Sequence, residues 1–519
     1  MNRLARMTAL TVALLCLFTI GAGAAVARLL PARLALFQMP RVSAAGLARS
    51  GSALPGATGS PSAGRGGEAT AAGVSASLGG LITSGDLGPH VGALVTDLST
   101  GQVLYELNPA TGFTPASTTK IATAIAALKT MGPGARFTTR VTMRPRAAGT
   151  GGPGSHGGQS GPGTQGTQGT QGSRGSRAAA GIPSIVLTGG GDPVLAAHRY
   201  PRGDYPQPAT LSALADATAK ALRARGITAV RVNFDDSRFG GPQVAPGWKA
   251  FGSAGNYFSS GNITPITGLE VDQGRLTSGG TPDDSDDPGN YRPRSVTPSR
   301  DAVHAFAAML RKDGITVRGT PAPARAPADG SPLAAVHSPP LAEIVQQMLS
   351  ESNNVIAETL ARQAAIATGR PGSFQGAAAA VMAAAARLNV TGLRLVDGSG
   401  LSPMDRISPQ ALVSLVGLAA RSGPRSLRPV ITGMPVAGFS GTLGPGSFFG
   451  PFGRDALGTV RAKTGNLTHV ATMAGVAYTA GGQLLAFAFM GNDISQSLAT
   501  LPEFTLAELA TALADCGCG

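Results

Sequence analysis

Ser117 stands three residues before Lys120 in Thr114-Pro115-Ala116-Ser117-Thr118-Thr119-Lys120, at the start of an apolar run. On a helix, positions i and i+3 share a face, so the serine Oγ and the lysine Nζ can meet. A serine is a weak nucleophile until a neighbouring base takes its proton. A lysine becomes that base when burial and nearby positive charge lower its pKa. The free N–H groups of a helix N-terminus also favour developing negative charge. Alone, the same residues read first as a helix cap. Two further stretches bear on the choice. Ser352-Asn353-Asn354 opens an amphipathic segment. Ser352 is suited to relay a proton between two lysines, and Asn354 to hydrogen-bond an amide; their plain reading is an N-cap. Lys463-Thr464-Gly465 ends a predicted strand. Lys463 supplies fixed positive charge and Thr464 a hydroxyl for a carboxylate. Gly465 leaves room for an extended ligand along the strand edge. The backbone N–H of Asn466 can join that of Ser117 as an oxyanion hole. The plain reading here is a basic strand end followed by a turn.

S-x-x-K, S-x-N and K-T-G in this order are far more specific than any one of them. The set resembles that of the penicillin-recognising serine enzymes, which include penicillin-binding proteins and class A β-lactamases. The gap from Ser117 to Ser352 is more than twice that from Ser352 to Lys463. A long insertion there resembles the D-alanyl-D-alanine carboxypeptidase/endopeptidase group, the class C low-molecular-mass penicillin-binding proteins of peptidase family S13. Gly190-Gly191-Asp192-Pro193, Asp235-Asp236-Ser237 before Phe239, Asp397-Gly398-Ser399-Gly400-Leu401-Ser402 and Gly441-Thr442-Leu443 look like that group too. The last two are read as loops beside the site. Asn466 departs from the Thr or Ser such enzymes often carry, and Asn353 from the group's usual Asp.

The resemblance implies an α/β (α+β) transpeptidase-like domain, an antiparallel sheet with helices on both sides, interrupted by a large inserted region. It implies a serine carboxypeptidase or endopeptidase acting on peptidoglycan peptides. Ser117 would be the nucleophile, Lys120 its base, Ser352 and Lys463 the proton return, Asn354 the peptide guide. Thr464, Gly465 and Asn466 would bind substrate. β-Lactam antibiotics would acylate Ser117. No metal or cofactor is called for. Two alternatives stand beside this: a β-lactamase, which needs a glutamate to position water, and a non-catalytic penicillin-sensing or wall-binding protein. Glu351 and Glu358 flank Ser352 and are the glutamates to examine. The six histidines form no ligand cluster, and there is no G-x-S-x-G elbow.

Composition sets the surroundings. The net charge is +14 with 5% aromatics and no long Lys/Arg block, which speaks against nucleic acid. The start MNRLAR is basic, Thr8–Ile20 is apolar, and Ala25-Val26-Ala27 is an A-x-A site. Residues 8–27 therefore read either as a cleaved signal peptide or as a membrane anchor. Both place the rest outside the cytoplasm, in a periplasm or cell-wall space. Cys516 and Cys518 are too close for an easy bridge and match no zinc spacing.

The elements that must position these residues follow from periodicity. A hairpin is expected over Val91–Asp97 and Gln102–Glu106, and a helix over Ser117–Met131. Helices are expected at 210–225, 301–313, 340–349, 353–367, 374–388, 408–421 and 502–514. Strands are expected at 185–188, 230–234, 459–463, 470–478 and 484–490. Early and late strands would share one sheet. The organisation reads as 1–27 signal or anchor, 28–79 Ala/Gly/Ser-rich linker, 80–140 and 326–519 peptidase domain, and 141–325 insert. By analogy the insert holds one or two β-rich domains and a low-complexity loop at 147–181.

Overall fold

The computed structural model describes residues 67–144, 182–248, 257–276, 292–421, 425–449, 456–495 and 502–518. Residues 1–27, the 147–181 loop and most of the linker lie outside them. The first sheet contains β1 (His90–Asp97), β2 (Val103–Leu107), β11 (Val460–Leu467), β12 (Val470–Tyr478) and β13 (Leu484–Asn492), in the order β11-β12-β13-β1-β2. All its pairs are antiparallel, and His90 faces Asn492 where the two ends of the chain meet. β12 and β13 are near-continuous apolar runs because both faces are covered.

The strand alternation divides those runs between two cores. Ala93, Val95, Met473, Phe487 and Phe489 pack under α1 (Ala71–Ile82) and α10 (Pro502–Ala514). Leu94, Ala474, Ala486, Ala488 and Met490 face the helical layer. That layer holds α2 (Thr119–Met131), α5 (Leu341–Ser350), α6 (Asn354–Ala367), α7 (Phe374–Ala386), α8 (Pro409–Ala420) and α9 (Arg428–Gly433). Small alanines on this face let the helices sit close. α2 is buried on every side from Thr119 to Leu128, so it is a central helix and not a surface one.

The inserted region forms its own sheet and core. β3 (Thr138–Met143), β4 (Ser184–Thr188), β5 (Ala229–Asp235), β6 (Thr316–Val317) and β8 (Ser331–His337) run in the order β6-β5-β4-β3-β8, with β7 (Ala322–Pro323) also on β5. β3 pairs antiparallel with β4 and β8, while β4 and β5 are parallel. α3 (Leu211–Arg223) and α4 (Pro298–Lys312) bury Leu214, Leu222, Phe306 and Leu310 against this sheet. A short β9 (Leu393–Arg394) and β10 (Arg406–Ile407) pair beside the helical layer.

Several expectations change. The insert is a mixed α/β unit rather than β-rich, and its sheet reaches from Thr138 to His337, because β3 and β8 pair with each other as its stem. The linker ends before residue 71. Val74, Leu78 and Ile82, four apart, turn an Ala/Gly/Ser-rich stretch into α1, capped by Thr70. β11 continues through Lys463-Thr464-Gly465 to Leu467, so the motif lies inside the strand. Cys516 and Cys518 are bonded to each other; the turn after α10 brings their Cα atoms to 4.9 Å, within disulfide reach.

Candidate active site

Ser117 lies in a single 3-10 turn, Ala116–Thr118, just before α2. It is not the helix cap; Thr118 holds that position without a side-chain capping bond. Ala116 is held at φ 48°, a costly conformation for a residue with a Cβ. Its surroundings enforce it. A Cβ on Gly400 would lie 1.8 Å from the Ala116 oxygen, and one on Gly465 would lie 2.8 Å from the Ser117 nitrogen. The turn is thus wedged between the 397–402 loop and β11. Thr472 Oγ1 donates to the Pro115 carbonyl at 2.7 Å and anchors the turn to β12. Gly465 is therefore needed first for this close approach, before any room it leaves for a ligand.

Lys120 is fully buried, and its Nζ has three partners. Ser117 Oγ lies at 2.8 Å, Asn354 Oδ1 at 2.7 Å and the Ser399 carbonyl at 2.9 Å. Burial lowers its pKa to about 7, opposed by the charges of Asp397 and Glu358. Asn354 begins α6, and its Nδ2 donates to the Asn262 carbonyl of the insert at 3.0 Å. Asn353 is the N-cap of α6 and donates to Gln273 Oε1 at 2.7 Å. The residue that departs from the group's usual Asp therefore serves the helix and not the cleft.

Ser352 sits on the turn between α5 and α6 at φ 58°. Among the described residues its hydroxyl bonds to neither lysine. Lys463 is fully buried on β11 and donates to the Thr464 carbonyl at 2.7 Å. Burial, and then the positive Lys120, push its pKa well down. The Thr464 and Thr442 hydroxyls meet at 3.1 Å, so the Gly441-Thr442-Leu443 turn does border the site. Asn466 has an exposed side chain, and its backbone follows Gly465 along the strand that flanks Ser117. His469 lies in the β11–β12 turn, where its Nδ1 donates to the Ile494 carbonyl at 2.7 Å, a structural bond.

Behind Lys120 is an acidic group that motif reading did not assemble. The Glu358 carboxylate accepts from Gly398 N at 3.0 Å and Ser399 N at 2.7 Å. Burial and then Asp397 raise its pKa to about 8, opposed by the hydrogen bonds from Ser399 and Gly398. Asp397 accepts from Gly400 N and Ser402 N, both at 2.7 Å, and from Trp248 Nε1 at 2.8 Å. Asp405 accepts from Val396 N at 2.7 Å; burial and then the adjacent Asp397 raise its pKa to about 10. Two sequence signals pointed here: a charged residue within the buried stretch of α6, and the Asp-Gly-Ser-Gly loop. Glu351 is engaged as well, accepting from Gln347 at 2.9 Å. Both glutamates that a β-lactamase reading would call on are thus held by protein donors.

The sequence matches the D-Ala-D-Ala carboxypeptidase 3 (S13) family over residues 74–154, 167–290 and 277–513. It is 35% identical over 428 residues to carboxypeptidase DacB of Mycolicibacterium smegmatis, covering 82% of this chain and 80% of that one. It is 34% identical over 426 residues to carboxypeptidase Rv3627c of Mycobacterium tuberculosis, covering 81% and 79%. The fold is similar to that of penicillin binding protein 4 (dacB) from Haemophilus influenzae, with TM-score 0.61 at 20% identity, covering 85% of this chain and 98% of the other. The match across both the two-cored peptidase domain and its insert leads to one conclusion: the chain belongs to the D-Ala-D-Ala carboxypeptidase 3 (S13) family.

Proposed function

We propose that this chain cleaves D-Ala–D-Ala and related D-Ala–D-X bonds of peptidoglycan through an acyl-enzyme on Ser117. The observation that carries the reading is the buried Lys120 amine 2.8 Å from Ser117 Oγ, with its pKa lowered to about 7. Near neutral pH a large fraction of such an amine is unprotonated and able to take the serine proton. Oγ then bonds to the substrate carbonyl carbon. The N–H groups of Ser117 and Asn466 receive the oxyanion. As the C–N bond breaks, Ser352 and Lys463 return a proton to the leaving amine. Asn354 orients the peptide, and Thr464 with Lys463 holds the terminal carboxylate. Water finally hydrolyses the ester. For Ser352 this assignment requires its hydroxyl to turn toward the lysines when substrate is bound. The same pocket would trim terminal D-alanine or cut cross-bridges.

The test is intact mass of the chain from residue 28 onward, followed in time after mixing with a penicillin. One long-lived adduct on the unaltered protein and none on Ser117→Ala is expected. A folded protein that never forms the adduct would overturn the acyl-enzyme reading, and rapid turnover of the drug would favour a β-lactamase. The basic start, apolar run and A-x-A site carry a second proposal, that the enzyme works outside the cytoplasm, with residues 8–27 either removed or retained as an anchor. Cell fractionation with N-terminal sequencing distinguishes these outcomes, and a cytoplasmic, uncut chain would refute export.

A further inference from the structure

The insert reaches the acylation site through one side chain. Trp248, the chain's single tryptophan, belongs to the insert and is buried at 6% exposure. Its ring packs edge-on against Phe374 of α7, with centroids 5.2 Å apart. Its indole N–H donates to Asp397 Oδ2 at 2.8 Å. The neighbouring Pro246 carbonyl accepts from Ser402 Oγ at 2.8 Å, and a Cβ on Gly247 would lie 2.8 Å from the same oxygen. Residues 246–248 are therefore seated on the 397–402 loop. The Ser399 carbonyl of that loop holds Lys120 Nζ.

We propose that Trp248 is a positioning residue for Lys120: by fixing the Asp397 carboxylate, it keeps the 397–400 loop and its negative charge against the catalytic amine, so that docking of the insert and acylation are coupled. This rests on the roles proposed above for Ser117 and Lys120. The Asp397 carboxylate is held by three donors, the indole N–H and Ser402 N on Oδ2 and Gly400 N on Oδ1. Without the indole, Oδ2 loses one of its two donors, and the carboxylate and the loop that holds Lys120 through the Ser399 carbonyl are fixed less firmly. The other charged or titratable groups around this arrangement are Glu358 and Arg362 of α6, Lys463 of β11 and Tyr257 of the insert. Glu358 and Tyr257 feel Asp397 as well, but Asp397 acts on Lys120 more strongly than Glu358 does, so its direct effect sets the sign.

The sign follows from the charges. Asp397 raises the Lys120 pKa, so weakening its charge lets that pKa fall, and the base becomes available at lower pH. The experiment measures the penicillin acylation rate across pH for the unaltered chain, Trp248→Phe, Asp397→Asn and the double variant. Phenylalanine keeps an aromatic ring on the Phe374 side and removes the donor together with part of the ring. The unaltered enzyme is expected to gain rate through a midpoint near 7. Trp248→Phe and Asp397→Asn should each move that midpoint down by about half a pH unit or more. The double variant should move it no further than Asp397→Asn alone. A lower melting temperature or a smaller rate with an unmoved midpoint would show a purely structural role and overturn the proposal. If Trp248→Phe does not fold, the unmoved midpoint of Asp397→Asn overturns it equally. Absence of any adduct on the unaltered chain would instead defeat the Ser117 reading itself.

Discussion

Burial drives the Lys120 pKa down while Asp397 and Glu358 hold it up, and a balance near 7 is what the proposed base role of this amine requires. That balance separates two functions of the side chain, its charge and its ability to lose it. Lys120→Arg keeps the first and loses the second, since a guanidinium does not deprotonate in proteins. Acylation by a penicillin should fall by roughly 10²–10⁴-fold in this variant, as read by intact mass over time. A rate within a few-fold of the unaltered enzyme would remove Lys120 from the base role. Ser117, Lys120 and Asn354 were legible in the sequence because each sits in a short motif whose spacing is set by local helix geometry. Glu358 and the Asp397 loop were legible separately, but the group they form with Asp405 and Trp248 was not. Its members come from separate segments, and only the tertiary fold brings them behind the lysine.

At the scale of elements, β11 shows how a short motif can be read correctly in place and incorrectly in extent. Lys463-Thr464-Gly465 was expected to end a strand, yet pairing continues to Leu467 opposite Val470. The tight reversal falls instead at His469, which takes φ 65°. The extension matters because it carries Gly465 past the Ser117 turn. In Gly465→Ala the new Cβ would meet Thr472 Oγ1 at 2.4 Å and Ser117 N at 2.8 Å, so strand and turn must separate. Acylation is expected to fall by about 10²-fold or more, because small displacements of reacting groups are costly. The test compares acylation rate with melting temperature; full activity in a folded variant would show that this approach does not matter. α6 joins the same geometry to the insert. Its first residue, Asn354, meets Lys120. Two turns later Arg362 donates to the Gly240, Gly372 and Pro242 carbonyls and stacks 4.2 Å from the Phe374 ring centroid. α1 was missed for the opposite reason: three well-spaced apolar residues were hidden by the composition around them.

The whole molecule joins two units by a buried polar seam. Asp192 and Glu270 lie in the insert, and burial raises their pKa values to about 7 and about 8 from ordinary carboxylate values. Because the folded values lie above the unfolded ones, each carboxyl stabilises the fold most at low pH, and that contribution is lost as pH rises through 7 and 8. Melting temperature should therefore decline from about pH 4 to about pH 8 and level off above, and Glu270→Gln should flatten the decline. Equal slopes in variant and parent would show that Glu270 does not govern it.

The pairing of β1 with β13 also sets an order of events. Residues 90–97 cannot find their central partner until residues 485–492 have been made, since the register joins positions nearly at opposite ends of the chain. The insert has all its strands by His337. During synthesis it is free to fold first, while the sheet beside Ser117 waits for β11, β12 and β13. The turn that carries Ser117 is consequently assembled late, since β11 and β12, which pin it, come more than 340 residues after it.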